Sequence, residues 1–282
     1  MSKIYITADS TADLSPEILS SYDIKTIPLH IVYGSDEYLD GVDIKSADLL
    51  TRFAKDGVLP KTSAVAIPEY SDLFGELTSD GSKVIHFALS SGVSSTYNNA
   101  CIAAKDFDGV SVIDTRLLSS AMGILIIKAC EMRDKGYSAE EIVRVTTEMR
   151  ERVGCSFILE KLNFMAKGGR CSGVVAFGAN ILGIKPGIVM TDGKLNVGKK
   201  YRGKINSCQL QYLSDVLENA ESYDKSIAFL THSPGTDEEQ INELLKEIKK
   251  TVKFENLFVT TAGCTVTSHC GANTVGLLVL KK

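Results

Sequence analysis

The chain has no tryptophan, only six prolines and four histidines, and its seven cysteines (101, 130, 155, 171, 208, 264 and 270) include no CxxC pair. The missing tryptophan decides nothing about class. Unpaired cysteines, with no His at zinc-finger spacing, argue against a disulfide framework and against a structural metal, and leave buried free thiols as the expectation. No uninterrupted apolar stretch reaches the roughly 18 residues that span a bilayer. The start, MSKIYITADS, passes from one Lys directly into a strand-like run with no charged n-region, long apolar core or cleavage site, so the expected location is the cytoplasm. A net charge of −4 with Lys and Arg interspersed supplies no long-range field for nucleic acid. GxxxxGK[ST], GxSxG and HExxH are all absent, which weakens nucleotide-phosphate, serine-hydrolase and metalloprotease readings and leaves no metal or cofactor expected.

What is present reads as a globular α/β protein, with 44% apolar and 23% charged residues over 282 positions. KIYIT (3–7), KVIHFAL (83–89) and GVSVID (109–114) read as strands, separated by helix-like stretches. Ser15-Pro16 and Ile67-Pro68-Glu69 carry helix-start chemistry, and Ser138 with Glu141 makes a capping box. This alternation predicts a parallel sheet with covering helices. Near residue 150 the pattern changes. Glycine-rich loops and a TDGKL turn suggest a mixed or antiparallel sheet, with a strand over 227–233, a helix in DEEQINELLKEIKK and a last strand over 274–280. The expected architecture is therefore an N-terminal parallel-sheet α/β/α domain (1–150) and a C-terminal domain with a mixed or antiparallel sheet and helices (151–282).

Small polar residues follow three of the predicted strands: Asp9, Ser10 and Thr11; Ser90, Ser91, Ser94, Ser95 and Thr96; Asp114 and Thr115. A fourth cluster, Thr62 and Ser63, sits in a predicted loop before a helix. Ligands of open α/β sheets bind outside the carboxyl ends of the strands. Ser and Thr are also ordinary N-caps, but two caps need no more than two of these hydroxyls. The surplus points to a site that holds oxygens. Among the histidines, His86 and His30 read as core residues, His232 as a turn former, and His269 as a member of a polar glycine loop. SGVVAFGANILGIKPGIVM (172–190) reads as a core helix and strand, or as space for a long apolar ligand.

ITADSTADL, DGVDI (40–44), PKTSAVAIPEY, SSGVSSTYNNA, VIDTRLLSSAMG, LEKLNFMAKGGRCSG, IKPGIVMTDGKL, YRGK and SHCGANTVGLLVL run through nearly the whole chain in the order and spacing of one family. The sequence resembles the DegV family of bacterial fatty-acid-binding proteins. That resemblance implies two domains enclosing one long-chain fatty acid, such as palmitate, stearate or oleate, as ligand rather than cofactor. It implies a non-catalytic carrier that presents the carboxyl to a separate ATP-dependent fatty-acid kinase, which makes an acyl phosphate for phospholipid synthesis, with transient membrane contact and no membrane span. Carried over by motif, Thr62 and Ser94 hydrogen-bond the carboxyl with His269 beside it. Ser63, Ser95 and Gly271 belong to the same motifs. Arg170 and Arg202 border the opening and face the kinase. The chain departs from the family pattern at Ala64-Val65, Ser95 and Cys270–Asn273, all at the head-group end. Two other classes fit the residues: an acyl hydrolase or transferase using Ser94 with His269, and a regulatory lipid-binding module.

Overall fold

The computed structural model describes residues 3–171 and 183–282. The first half contains strands β1 (Ile4–Asp9), β2 (Ile24–Ile27), β3 (His30–Tyr33), β4 (Asp36–Leu39), β5 (Lys61–Ser63), β6 (Lys83–Ala88) and β7 (Val110–Asp114). Its helices are α1 (Pro16–Ser21), α2 (Ser46–Asp56), α3 (Ile67–Thr78), α4 (Thr96–Ala104), α5 (Ser120–Asp134) and α6 (Ala139–Met149). Strands β2-β1-β6-β7 form an all-parallel sheet in that order. Five of the six β6 residues are buried, as expected for a parallel strand covered by helices. The local signals act as expected: the Ser15 hydroxyl accepts the Ile18 N–H, and Ser138 and Glu141 close the capping box of α6.

The second half contains β8 (Val153–Gly154), β9 (Ser156–Ile158), β10 (Ile184–Thr191), β11 (Lys194–Arg202), β12 (Tyr223–His232), β13 (Asn256–Thr261) and β14 (Val275–Lys281). Its described helices are α7 (Asn163–Gly168), α8 (Ile205–Leu217), α9 (Glu238–Thr251) and α10 (Cys264–Cys270). The strands make a seven-stranded mixed sheet, β11-β10-β9-β14-β12-β13, with β8 also on β14. Only β12 and β13 pair in parallel; the other pairs are antiparallel. Asp192 and Gly193, both with positive φ (50° and 74°), turn the β10–β11 hairpin that TDGKL predicts. Of the apolar run 172–190, residues 172–182 lie outside the described residues, and the remainder enters β10.

Helix α5 joins the two sheets. It touches β1 in the first and β12 and β14 in the second, so it is buried on nearly every side and carries apolar residues all round rather than on one stripe. One cluster of buried apolar side chains therefore runs from Ile6 and Phe87 through Met122 to Phe229 and Leu278.

A third sheet, β4-β3-β5, is antiparallel and has no counterpart in the sequence reading, which leaves Thr62 and Ser63 in a loop. Strand β5 has three residues and is held by tertiary pairing, Ile31 to Thr62 and His30 to Ser63. Both β3 and β5 touch α10, which brings Thr62 to the C-terminal helix. His30 is not a simple core residue either: its ring bridges Glu37 of β4 (2.8 Å) and Glu69 of α3 (2.9 Å). His86 is fully buried, with Nδ1 at Thr7 and Nε2 at Asp9.

Candidate functional site

The hydroxyl clusters divide into scaffolding and lining. Asp9 is buried and ties the ends of β1 and β6 together, accepting the Tyr70 O–H (2.6 Å) and the Leu89 N–H (2.7 Å). Ser90 donates to the Gly193 carbonyl (2.7 Å), which docks the β10–β11 turn against the serine loop. The contact explains Gly92, where a Cβ would stand 2.2 Å from that same carbonyl oxygen. Ser91 donates to Asp114 (2.6 Å), and Thr115 to the Ala88 carbonyl (2.8 Å). These groups hold the βα loops in place.

Five other hydroxyl residues of these clusters, Thr11, Thr62, Ser63, Ser94 and Ser95, line a cavity of about 250 Å³. Thr62, Ser63, Ser94 and Ser95 reach it from the first half of the chain, and Arg170 and His269 from the second. Leu29, Leu89, Leu118, Met165, Leu195 and Val266 make its apolar walls. Arg170 is the only Asp, Glu, Lys or Arg among the described lining residues; it is exposed and donates to the Gly168 carbonyl (2.7 Å). The Ser94 hydroxyl accepts the Thr96 N–H (3.2 Å) and lies 2.6 Å from the Thr96 hydroxyl. Ser63 and Ser95 are exposed at the rim. Gly271 and Arg202 are not among the lining residues. Gly271 ends α10 with φ 77°, its carbonyl accepting the Ser233 hydroxyl, and Arg202 is exposed at the end of β11.

His269 lies in the last turn of α10, not in a loop. The sequence CTVTSHC carries little helix propensity, and the helix begins without a side-chain cap of its own. The cap comes from far away: Asp40 accepts the N–H groups of Cys264 (2.7 Å) and Thr265 (3.0 Å), and Asp13 accepts that of Gly263 (2.8 Å). Burial raises the Asp13 pKa to about 8 against the opposing Ser119 and Gly263 hydrogen bonds, with nearby Asp40 adding to the rise. Asp40 and Asp13 thus fix the helix that carries His269.

The His269 ring fits against Gly168, where a Cβ would come 2.1 Å from Nδ1. Nε2 stands 3.0 Å from the Thr62 hydroxyl, while Nδ1 is buried with no partner among the described residues. An orphaned N–H is the rarer arrangement, so the proton is assigned to Nε2, which donates to Thr62. The Thr62 hydroxyl hydrogen can then turn into the cavity. Burial, and secondarily the Arg170 charge, lowers the His269 pKa to about 4, which leaves the ring neutral near pH 7. His269 is thus engaged with Thr62 rather than with Ser94, the pairing that a serine nucleophile needs. Thr265, absent from the sequence reading, also lines the cavity, and its buried hydroxyl has no partner among the described residues. No group of three His, Cys, Asp or Glu side chains suited to a metal ion occurs among the described residues.

The family model described as "Uncharacterised protein, DegV family" matches residues 3–282. The chain belongs to the DegV family. A DegV domain-containing protein of Clostridium acetobutylicum is 34% identical over the whole of both chains, and one of Staphylococcus aureus is 33% identical, again over the whole of both. Among solved structures, a stearic acid-binding protein of Eubacterium ventriosum is 29% identical, with a TM-score of 0.86 over 100% of this chain and 99% of that one. A Thermotoga maritima protein described as revealing fatty acid binding function is 26% identical, with a TM-score of 0.85 over 100% of both chains. A DegV family protein of Thermus thermophilus, 24% identical, shares the fold at a TM-score of 0.90 over 99% of this chain and 100% of that one. This DegV chain therefore has the family's α/β fold, and no described helix in it is long and apolar enough to cross a membrane.

Proposed function

We propose that this chain binds one long-chain fatty acid, with the carboxyl among the hydroxyls of Thr62, Ser63, Ser94 and Ser95 and with the acyl chain against the apolar walls. The observation that carries this reading is the composition of the cavity: hydroxyls and a neutral imidazole together with leucines, Met165 and Val266, and no acidic residue among the described lining residues. An anionic head on a long apolar tail matches both kinds of lining at once. Hydroxyl donors can hold a carboxylate without a buried cation, and the hydrogen bonds are strengthened by its charge. Each buried methylene contributes about 0.8 kcal/mol, so a palmitate tail supplies on the order of 10 kcal/mol before ordering costs. The names of the Eubacterium and Thermotoga structures support the same ligand class. His269 acts through Thr62, and Gly271 sustains the end of α10 on which His269 sits.

Native mass spectrometry of the purified protein, followed by extraction, tests this directly. The expected result is a stoichiometric fatty acid, with affinity reduced at least about tenfold in Thr62→Val and Ser94→Ala by loss of about 1.4 kcal/mol or more each. A wild-type protein that is empty and also refuses palmitate and oleate overturns the reading.

The carrier role goes one step further: Arg170 on the cavity lining and Arg202 at the end of β11 offer exposed cations to a fatty-acid kinase. With such a kinase and ATP, Arg202→Glu is expected to slow acyl phosphate formation while fatty-acid binding is retained. Unchanged turnover removes Arg202 from the partner surface.

A further inference from the structure

Three cavities lie in a row. The hydroxyl-lined cavity shares Leu118, Val266 and Cys270 with a narrow annex of about 30 Å³. The annex shares one lining residue, Cys155, with an outer cleft of about 590 Å³. Side chains of successive strand residues point to opposite faces, and the lining follows that rule: Gly276 and Leu278 of β14 border the annex, whereas Leu277 and Val279 border the cleft. The seven-stranded sheet thus stands between the two spaces. Its ladder is bonded at Val279–Gly154 and again at Val275–Ile158; between those points, where Cys155 sits, the Tyr212 hydroxyl bridges the strands, donating to the Ser156 carbonyl (2.7 Å) and accepting the Leu277 N–H (3.2 Å). Cys155 borders the annex together with Leu118 and Cys270.

The annex offers little to water: His232 is its imidazole, with Nδ1 3.2 Å from the Ser233 carbonyl. Its hydroxyls are committed elsewhere: Ser119 to Asp13, Thr231 to Ser120, Ser233 to the Gly271 carbonyl and Thr274 to the Cys270 carbonyl. A buried water needs two to four polar partners, so an apolar occupant suits this space better than a water does. As it stands the annex equals about one water's share of liquid volume, so a chain enters only if Leu118 and Val266 turn aside.

We propose that the acyl chain runs from the hydroxyl-lined cavity into the annex and that Cys155 sets its length, standing at the methyl end as a stop in front of the outer cleft. The proposal rests on the fatty-acid reading above. Removing the thiol deepens the annex at position 155, beside the point where the Tyr212 hydroxyl bridges the strands, and makes room for a longer chain. Enlarging the side chain moves the stop inward.

The test is competitive loading of the whole protein with an equimolar mixture of myristate, palmitate, stearate and arachidate, read by native mass spectrometry. Cys155→Ala is expected to shift the bound population toward longer chains by about fourfold for each further methylene accommodated, and Cys155→Met toward shorter ones. Both variants binding with the wild-type distribution overturns Cys155 as the stop and leaves the fatty-acid reading standing. A wild type that takes up none of the mixture overturns both. A second measurement needs no variant: palmitate bound to the wild type should slow alkylation of Cys155 and Cys270 at least about tenfold by occluding them, with Cys208 of α8 unaffected. Equal Cys155 labelling with and without bound palmitate also overturns the proposal.

Discussion

The neutral state of His269 has a measurable cost in acid. The unfolded ring titrates near its ordinary value of 6.5, and the folded ring near 4. Between those values the unfolded chain binds more protons than the folded one, so this contribution is fully present above about pH 6.5 and is lost as pH falls toward the folded value. Linkage puts the loss between pH 7 and pH 5 at about 2 kcal/mol, with a ceiling of about 3 kcal/mol at lower pH. Other groups titrate in the same range, so the informative quantity is the difference between wild type and His269→Gln, which keeps a neutral donor. Urea unfolding of both proteins at pH 7 and pH 5, without added fatty acid, measures it. The wild type should lose about 2 kcal/mol more than the variant. Equal losses would mean that the folded ring titrates normally, and the argument for a proton fixed on Nε2 toward Thr62 would fail.

Asp13 has the opposite sign. With a folded pKa of about 8, its contribution is lost as pH rises from the unfolded value of 3.8 toward 8, so Asp13→Asn should hold its melting temperature better than wild type between pH 5 and pH 9. Asp40→Ala strands the Cys264 and Thr265 N–H groups and should cost about 2 kcal/mol in chemical denaturation; a cost near zero would mean that water replaces the carboxylate. Gly92→Ala drives a Cβ into the Gly193 carbonyl, which is backbone and cannot swing away, and should cost about 1–3 kcal/mol by the same assay. Ser90→Ala, which removes the hydrogen bond to that carbonyl and the one accepted from the Gly92 N–H, should cost about 1–2 kcal/mol.

The elements readable in the sequence were those whose causes are local. Ser138 and Glu141 are three residues apart, and the β10–β11 turn is made by the adjacent Asp192 and Gly193. The serine-rich loop, too, was visible because it follows a strand, although its members split their work: Ser90 and Ser91 hold loops, while Ser94 and Ser95 line the cavity. What stayed hidden depends on distant partners. Strand β5 exists because β3 pairs with it, and α10 starts on the side chains of Asp13 and Asp40, more than two hundred residues away. The Thr62–His269 bond spans 207 positions, and no periodicity links its ends. Thr265 looked ordinary because its distinction is a buried hydroxyl with no partner among the described residues, a property of packing alone.

The place of β14 in the second sheet bears on how the protein is made. It lies between β9 and β12, so the strands on either side of it cannot close into one sheet until residues 275–281 arrive. The parallel sheet, complete by Asp114, has no such wait. Chains grow at about 5–20 residues per second, so during synthesis β9 to β13 must spend seconds without their central strand, with apolar faces and unpaired edges open to wrong partners. A nascent chain halted before Val275 should therefore hold a folded first sheet and a protease-sensitive remainder, and chaperone demand should concentrate in that interval.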